Sequence, residues 1–92
     1  MTEFFWDSKK ELENFFKHGV DFETAQLVFR DPARIIHFDP KHSHNEDRFF
    51  CFGKVKGKNL TVRFTYQGNN IRIIGAGYWR KGVTLYEKKK KS

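Results

Sequence analysis

The chain has 92 residues and a formal net charge of +7. That length makes a single domain over residues 1–92, with one modest core and no room for a separate cofactor domain. No apolar run approaches the ~20 residues of a transmembrane helix, and Met1 to Asp7 lacks the basic start and small-residue cleavage site of a signal peptide. The lone cysteine, Cys51, has no internal disulfide partner and sits in an apolar strand-like run, so a reduced, buried thiol is expected. These features together fit a cytoplasmic protein without membrane contact.

The charge is unevenly spread. Residues 1–31 carry four Lys/Arg against seven Asp/Glu, whereas residues 48–92 carry twelve against one. A half almost free of carboxylates to neutralise it points to a polyanionic or acidic partner. Four of its cations, Lys88 to Lys91, form a tail that a solvated chain end would equally explain.

In chain order, Glu3 to Trp6 predicts a short first strand. Ser8-Lys9-Lys10-Glu11 has the form of a capping box, with Asp7 as a rival cap. The helix that follows places Leu12, Phe15 and Phe16 on one face, expected to be inward. Gly19 can end it in the left-handed conformation. Asp21 caps a second helix with Phe22, Ala25, Val28 and Phe29 inward, closed by Pro32. The period then becomes extended. Strands are predicted over Ala33 to Phe38, Arg48 to Val55, Leu60 to Tyr66 and Ile71 to Ala76, joined by the polar stretch Asp39 to Asp47 and by two glycine turns. Short connections imply an antiparallel meander. Arg80 and the residues after it predict a short C-terminal helix, interrupted at Gly82. The class is α+β: a small antiparallel β-sheet with an N-terminal helix pair packed on one face and a short C-terminal helix. Arg63, with Arg72 or Arg48, would stand on the exposed face.

The stretch with the densest chemistry is Ile71 to Glu87. A strand loses its side chains in Gly75-Ala76-Gly77 and runs into Tyr78, Trp79, Arg80 and Lys81. Such a cluster can hold a phosphate and stack a base; the structural alternative is a glycine turn with a packed Trp/Tyr pair. Metal-free RNA cleavage suits this inventory. The RNA supplies its own nucleophile, the 2′-hydroxyl, and the protein supplies a base, cations for the phosphorane and an acid. On this reading Arg48, Arg63, Trp79 and Lys81 bind RNA. Arg72 and Arg80 stabilise the transition state, and Lys17, His18 and Tyr78 are the candidates for proton transfer. No cofactor and no metal are required. Each has a structural alternative: Arg72 as a solvated strand residue, Lys17 as a partner of the helix dipole, His18 as a capping residue. His42 and His44 near Asp39, Glu46 and Asp47 leave a metal nuclease as a further reading, on weak spacing.

The ordered motifs resemble the BrnT family of bacterial toxin–antitoxin modules. Phe5-Trp6-Asp7 is similar to its opening signature, and Lys17-His18-Gly19-Val20 with Phe22, Ala25 and Phe29 to its helix junction. Asp39-Pro40-x-His42-Ser43-x-x-Glu46-x-Arg48-Phe49 is similar to its loop, Ile71-Arg72-Ile73-Ile74 to its strand, and Tyr86-Glu87 to its closing pair. The resemblance implies a RelE-like fold, a ribonuclease that stops translation, and a BrnA-type ribbon-helix-helix antitoxin through which alone the toxin meets operator DNA. One departure concerns the strand end. Many members continue R-I-I-S-A-R, whereas this chain has Gly75 and Gly77 at the serine and second arginine positions. That leaves open a module of the same fold that binds RNA or antitoxin without cutting.

Overall fold

The computed structural model describes residues 2–91, apart from the side chains of Lys81 and of residues 89–91. Strand β1 (Phe4–Trp6) leads into helix α1 (Ser8–His18) and the short helix α2 (Phe22–Gln26), which tightens into a 3-10 turn over Leu27–Arg30. Four strands follow: β2 (Ile35–Phe38), β3 (Phe49–Val55), β4 (Lys58–Gln67) and β5 (Asn70–Gly77). Helix α3 (Arg80–Lys91) closes the chain.

The expected meander forms, with β2, β3, β4 and β5 pairing antiparallel in turn. The sheet as a whole is mixed, in order β1-β5-β4-β3-β2, because β1 lies parallel to β5. Its partner is the last strand of the chain, so Phe4, Phe5 and Trp6 stand opposite Ile71, Arg72 and Ile73.

Alternation along the strands sorts two faces. Cys51, Leu60, Val62, Phe64, Ile71 and Ile73 point into the core, where Phe22, Ala25 and Val28 from α2 and its 3-10 turn cover them. The other face carries Phe50, Phe52, Thr61, Arg63, Thr65 and Arg72. Helix α3 packs on this second face, since a Cβ at Gly82 would overlap the Thr61 hydroxyl and come within 2.8 Å of the Phe52 ring. The helices therefore do not share one face. Gly82 does not interrupt α3 either; its missing side chain lets the helix backbone sit on the strands.

Helix α1 starts at Asp7, whose carboxylate accepts from the amides of Lys9 and Lys10, so the rival cap prevails over Ser8. It ends at Gly19, at φ 71°. Its inward side is not the apolar one. Leu12, Phe15 and Phe16 are 57%, 49% and 80% exposed, while Asn14 is buried. The Asn14 amide donates to the Ala76 and Val20 carbonyls, and its oxygen accepts from the Ala76 N–H at 3.1 Å. β1 pairs with β5 only as far as Ile73, so beyond that point Asn14 supplies the hydrogen bonds a neighbouring strand would make. Glu11 adds bonds to the Trp6 indole and the Phe22 amide. Among the described residues no helix is long and apolar enough to cross a membrane.

Candidate functional site

Three rows of side chains cross the outer face of the sheet. Phe52, Thr61 and Gly77 are register partners in one, and Phe50, Arg63 and Gly75 in the next. Thr65 and Arg72 pair in the third, with Arg48 just ahead of β3 beside them. A bulge between the second and third rows makes Ile74 the extra residue on β5 and brings both glycines onto this face. The face is consequently hollow over Gly75, while Trp79 covers Gly77. α1 on one side and Trp79, just ahead of α3, on the other turn the hollow into a cleft of about 320 Å³.

Arg63 lies in this cleft with its guanidinium 5.5 Å from the centre of the Phe50 ring. Its Nε is buried and has no hydrogen-bond partner, and no ion pair neutralises it among the described residues. Lys10, Lys17 and His18 of α1 line the same cleft with Arg48, Trp79 and one acidic group, Glu13. Lys17 and His18 sit in the last turn of α1, where the helix dipole favours cations. The His18 ring stands edge-on to the Trp79 indole at 5.2 Å. The indole in turn folds back onto Gly77, where an added Cβ would lie 2.6 Å from it. Any side chain at 77 would displace Trp79 from this position. Gly75 is different: a Cβ would meet only Asn14 Oδ1 at 3.5 Å, an ordinary contact. Arg63 and Trp79 also border an adjoining cavity of about 190 Å³ lined by the aromatic rings of Phe50 and Phe52.

Arg48 connects the cleft to a second hollow, of about 330 Å³, lined by Glu46, Arg72, His42, His44 and Asn45. One carboxylate oxygen of Glu46 accepts from Arg72 Nη2 and from Arg48 Nε, the latter at 3.3 Å. Both guanidiniums are thereby held over the third row. The loop beneath is tied tightly. The Asp39 amide donates to the Arg48 carbonyl, and the Ser43 hydroxyl donates to the Asp39 carbonyl and accepts from the Arg48 amide. The Asp39 side chain is only 4% exposed, and its Oδ2 lies 2.8 Å from His42 Nδ1.

The structure thus brings together Lys17, His18, Arg48, Arg63 and Trp79, and places Arg72 next door in an ion pair. Tyr78 and Arg80 do not line the cleft. Tyr78 is exposed, with the Lys58 ammonium 5.6 Å from its ring centre, and Arg80 is exposed at the start of α3. The Lys81 side chain lies outside the described residues. Sequence reasoning missed Lys10, which is four residues from Asn14 and so one turn along the same side of α1. It also gave Glu46 and the Asp39–His42 pair no part in the cationic site. The D-P-x-H spacing carried the signal for that pair, since the capping carboxylate of a 3-10 turn (Pro40–His42) faces the third residue on. Among the described residues no group of three or more His, Cys, Asp or Glu is placed to share a metal ion.

Three groups away from the cleft have displaced pKa values. Burial pushes the Cys51 thiol up to about 12, as expected of an inert core cysteine. The hydrogen bond from the Tyr86 hydroxyl to Asp31 raises that phenol to about 12. The Thr24 backbone N–H holds the Asp21 carboxyl below its ordinary value.

Residues 6–82 match the family described as "Ribonuclease toxin, BrnT, of type II toxin-antitoxin system". The chain belongs to the BrnT toxin family. The match spans α1, the whole of β2 to β5 and the start of α3, and so every residue of both hollows. No curated protein was found to match the chain. BrnT membership gives, at family level, ribonuclease activity, an RNA substrate and an antitoxin partner.

Proposed function

We propose that this BrnT protein is a metal-independent endoribonuclease of RelE-like architecture. It cuts RNA by attack of the 2′-hydroxyl on the adjacent phosphate, in the cytoplasm, and so stops translation. A BrnA-type ribbon-helix-helix antitoxin neutralises it and supplies all contact with operator DNA. The observation that carries the reading is the Arg63 guanidinium, without an ion pair among the described residues, in a cleft of cations, one indole and one carboxylate, Glu13. A phosphorane gains negative charge on its non-bridging oxygens as it forms. A fixed cation partly shielded from water stabilises that state more than the ground state. Arg63 is so placed. Arg48 and Lys17 bind the flanking phosphates, and Arg72, with Arg48, holds Glu46 until a phosphate competes for them. Trp79 and the Phe50–Phe52 cavity offer a base an apolar slot beside the scissile phosphate. Lys17 and His18 reach the cleft from α1 and can return a proton to the leaving oxygen.

The test is cleavage of defined RNA by antitoxin-free protein in excess chelator, with and without translating ribosomes. Parent activity that survives chelator and collapses in a folded Arg63→Ala variant supports the reading. Activity that chelator abolishes points to the metal nuclease. Gly77, where many members have arginine, supports one competing reading, a module that binds without cutting. Tight RNA binding with no cleavage in either setting would establish it.

A further inference from the structure

We propose that His42, oriented by the buried Asp39 carboxylate, is the base that takes the proton from the attacking 2′-hydroxyl. The proposal rests on the ribonuclease reading and adds an oriented imidazole beside the cationic cleft. Lys17, as an ammonium, has three donors and no acceptor. The His18 ring packs on Trp79 and has no ion pair with a carboxylate among the described residues. Both arginines already hold Glu46. Among the described residues His42 is the one imidazole with a carboxylate at hydrogen-bond distance.

The geometry sets its tautomer. With Asp39 Oδ2 as the acceptor, Nδ1 is the donor and Nε2 is left as the basic nitrogen, which has no partner among the described residues. Asp39 is itself immobilised. Its Oδ1 accepts from the Lys41 amide, and its peptide group is bound on both sides through Arg48 and Ser43. A general base needs this combination: an oriented ring, a free nitrogen, and a carboxylate that stabilises the imidazolium once formed. The ring is 46% exposed and lines the same hollow as Arg48 and Arg72. Arg48 lines both hollows, so an RNA strand with its scissile phosphate at Arg63 and a flanking phosphate between Arg48 and Arg72 runs past His42.

The step balances without a co-reactant. His42 Nε2 takes the 2′-hydroxyl proton, the 2′ oxygen bonds to phosphorus, and the bond from phosphorus to the 5′ oxygen breaks. The 5′ oxygen takes a proton from the Lys17–His18 side of the cleft. The products are a 2′,3′-cyclic phosphate and a 5′-hydroxyl, and His42 then releases its proton to water.

The experiment compares full-length parent, His42→Ala, Asp39→Asn and Arg63→Ala on one defined RNA, with fold checked by circular dichroism. His42→Ala should lose about 10²- to 10⁴-fold in kcat with KM changed less than about threefold, the usual range for a lost acid–base group. Added imidazole should restore part of the rate, which a purely structural role for the ring would not allow. Asp39→Asn should lower kcat and respond little to imidazole, because its ring is present but misoriented. The same RNA with sulfur in place of the 5′ bridging oxygen has a leaving group that needs no acid. It should not rescue His42→Ala. Rescue by the sulfur substrate would make His42 an acid and overturn the assignment as base. Parent-like cutting by His42→Ala, with Arg63→Ala inactive, would overturn the proposal while leaving the ribonuclease reading intact. No cutting by the parent, with or without ribosomes, would overturn both.

Discussion

Arg63 and Trp79 line one cleft and differ in what they can contribute. A guanidinium aimed at developing charge acts on the transition state, whereas an indole stacks on a base in ground and transition states alike. Arg63→Ala should therefore lower kcat by about 10²- to 10³-fold, or ~2.7–4 kcal/mol of barrier. Trp79→Ala should weaken RNA binding by about 1–3 kcal/mol and leave kcat nearly unchanged. Single-turnover cleavage at saturating protein, set beside a binding titration, separates the two effects. The sequence showed the cations of this site well, because a basic half with almost no carboxylates leaves few places for them except a binding surface. It could not show which would stay free. Arg48, Arg63 and Arg72 look alike in the chain, yet Glu46 holds two of them and leaves Arg63 unpaired. Pairing across 26 residues, as between Arg72 and Glu46, depends on the fold and has no local signal.

At the scale of elements, the strands were legible and the attachment of helices was not. Period-two alternation located β3, β4 and β5, and the glycine turns fixed their order. α1 was misjudged because its apolar residues faced the expected way only if a core lay beneath them. A polar residue, Asn14, turned the helix instead, since β5 outruns β1 and leaves the Ala76 amide and carbonyl to be satisfied. Asn14→Leu should cost about 1–3 kcal/mol for each buried backbone group it orphans, read as a lower urea midpoint with an unchanged slope. Gly82→Ala should destabilise by about 1–3 kcal/mol, because the new methyl meets Thr61 and Phe52 and lifts α3 from the sheet. Gly75→Ser should leave stability within about 0.5 kcal/mol, since its Cβ enters an ordinary contact. That contrast distinguishes a glycine required by packing from one that merely leaves the cleft open. The cap of α2 adds a pH effect. The Asp21 carboxyl is held below its unfolded value, so its contribution is complete above the unfolded pKa of about 3.9 and is lost as pH falls through the folded one. Asp21→Asn keeps an accepting oxygen for Thr24 but cannot titrate. Its stability should fall less steeply than the parent's below about pH 4, measured by urea unfolding across that range.

For the whole molecule, the segregation of charge becomes a statement about where RNA can lie. The acidic first third of the sequence builds α1 and α2, but α1 turns Lys10 and Lys17 toward the sheet and leaves Leu12, Phe15 and Phe16 outward. The cleft accordingly draws cations from both ends of the chain: Lys10 and Lys17 from the acidic part, Arg48 and Arg63 from the basic part. This convergence was not visible in a count by segments, which placed the whole electrostatic surface after residue 48. If these four side chains account for the phosphate contacts, single-stranded RNA should displace about three counterions, and log K should fall against log salt with a slope near −3. The lysine tail offers a competing source of charge. A tail-dominated interaction, with four cations of its own in Lys88 to Lys91, would give a similar slope that truncation before Lys88 flattens. A cleft-dominated one keeps its slope on truncation and loses roughly 0.7 of a unit in Lys17→Ala or Lys10→Ala. Binding titrations of the truncated and substituted proteins on one RNA, at several salt concentrations, decide between these. The α1 cations are the discriminating pair, because only a cleft closed by α1 gives residues from the acidic end of the chain a share in RNA binding.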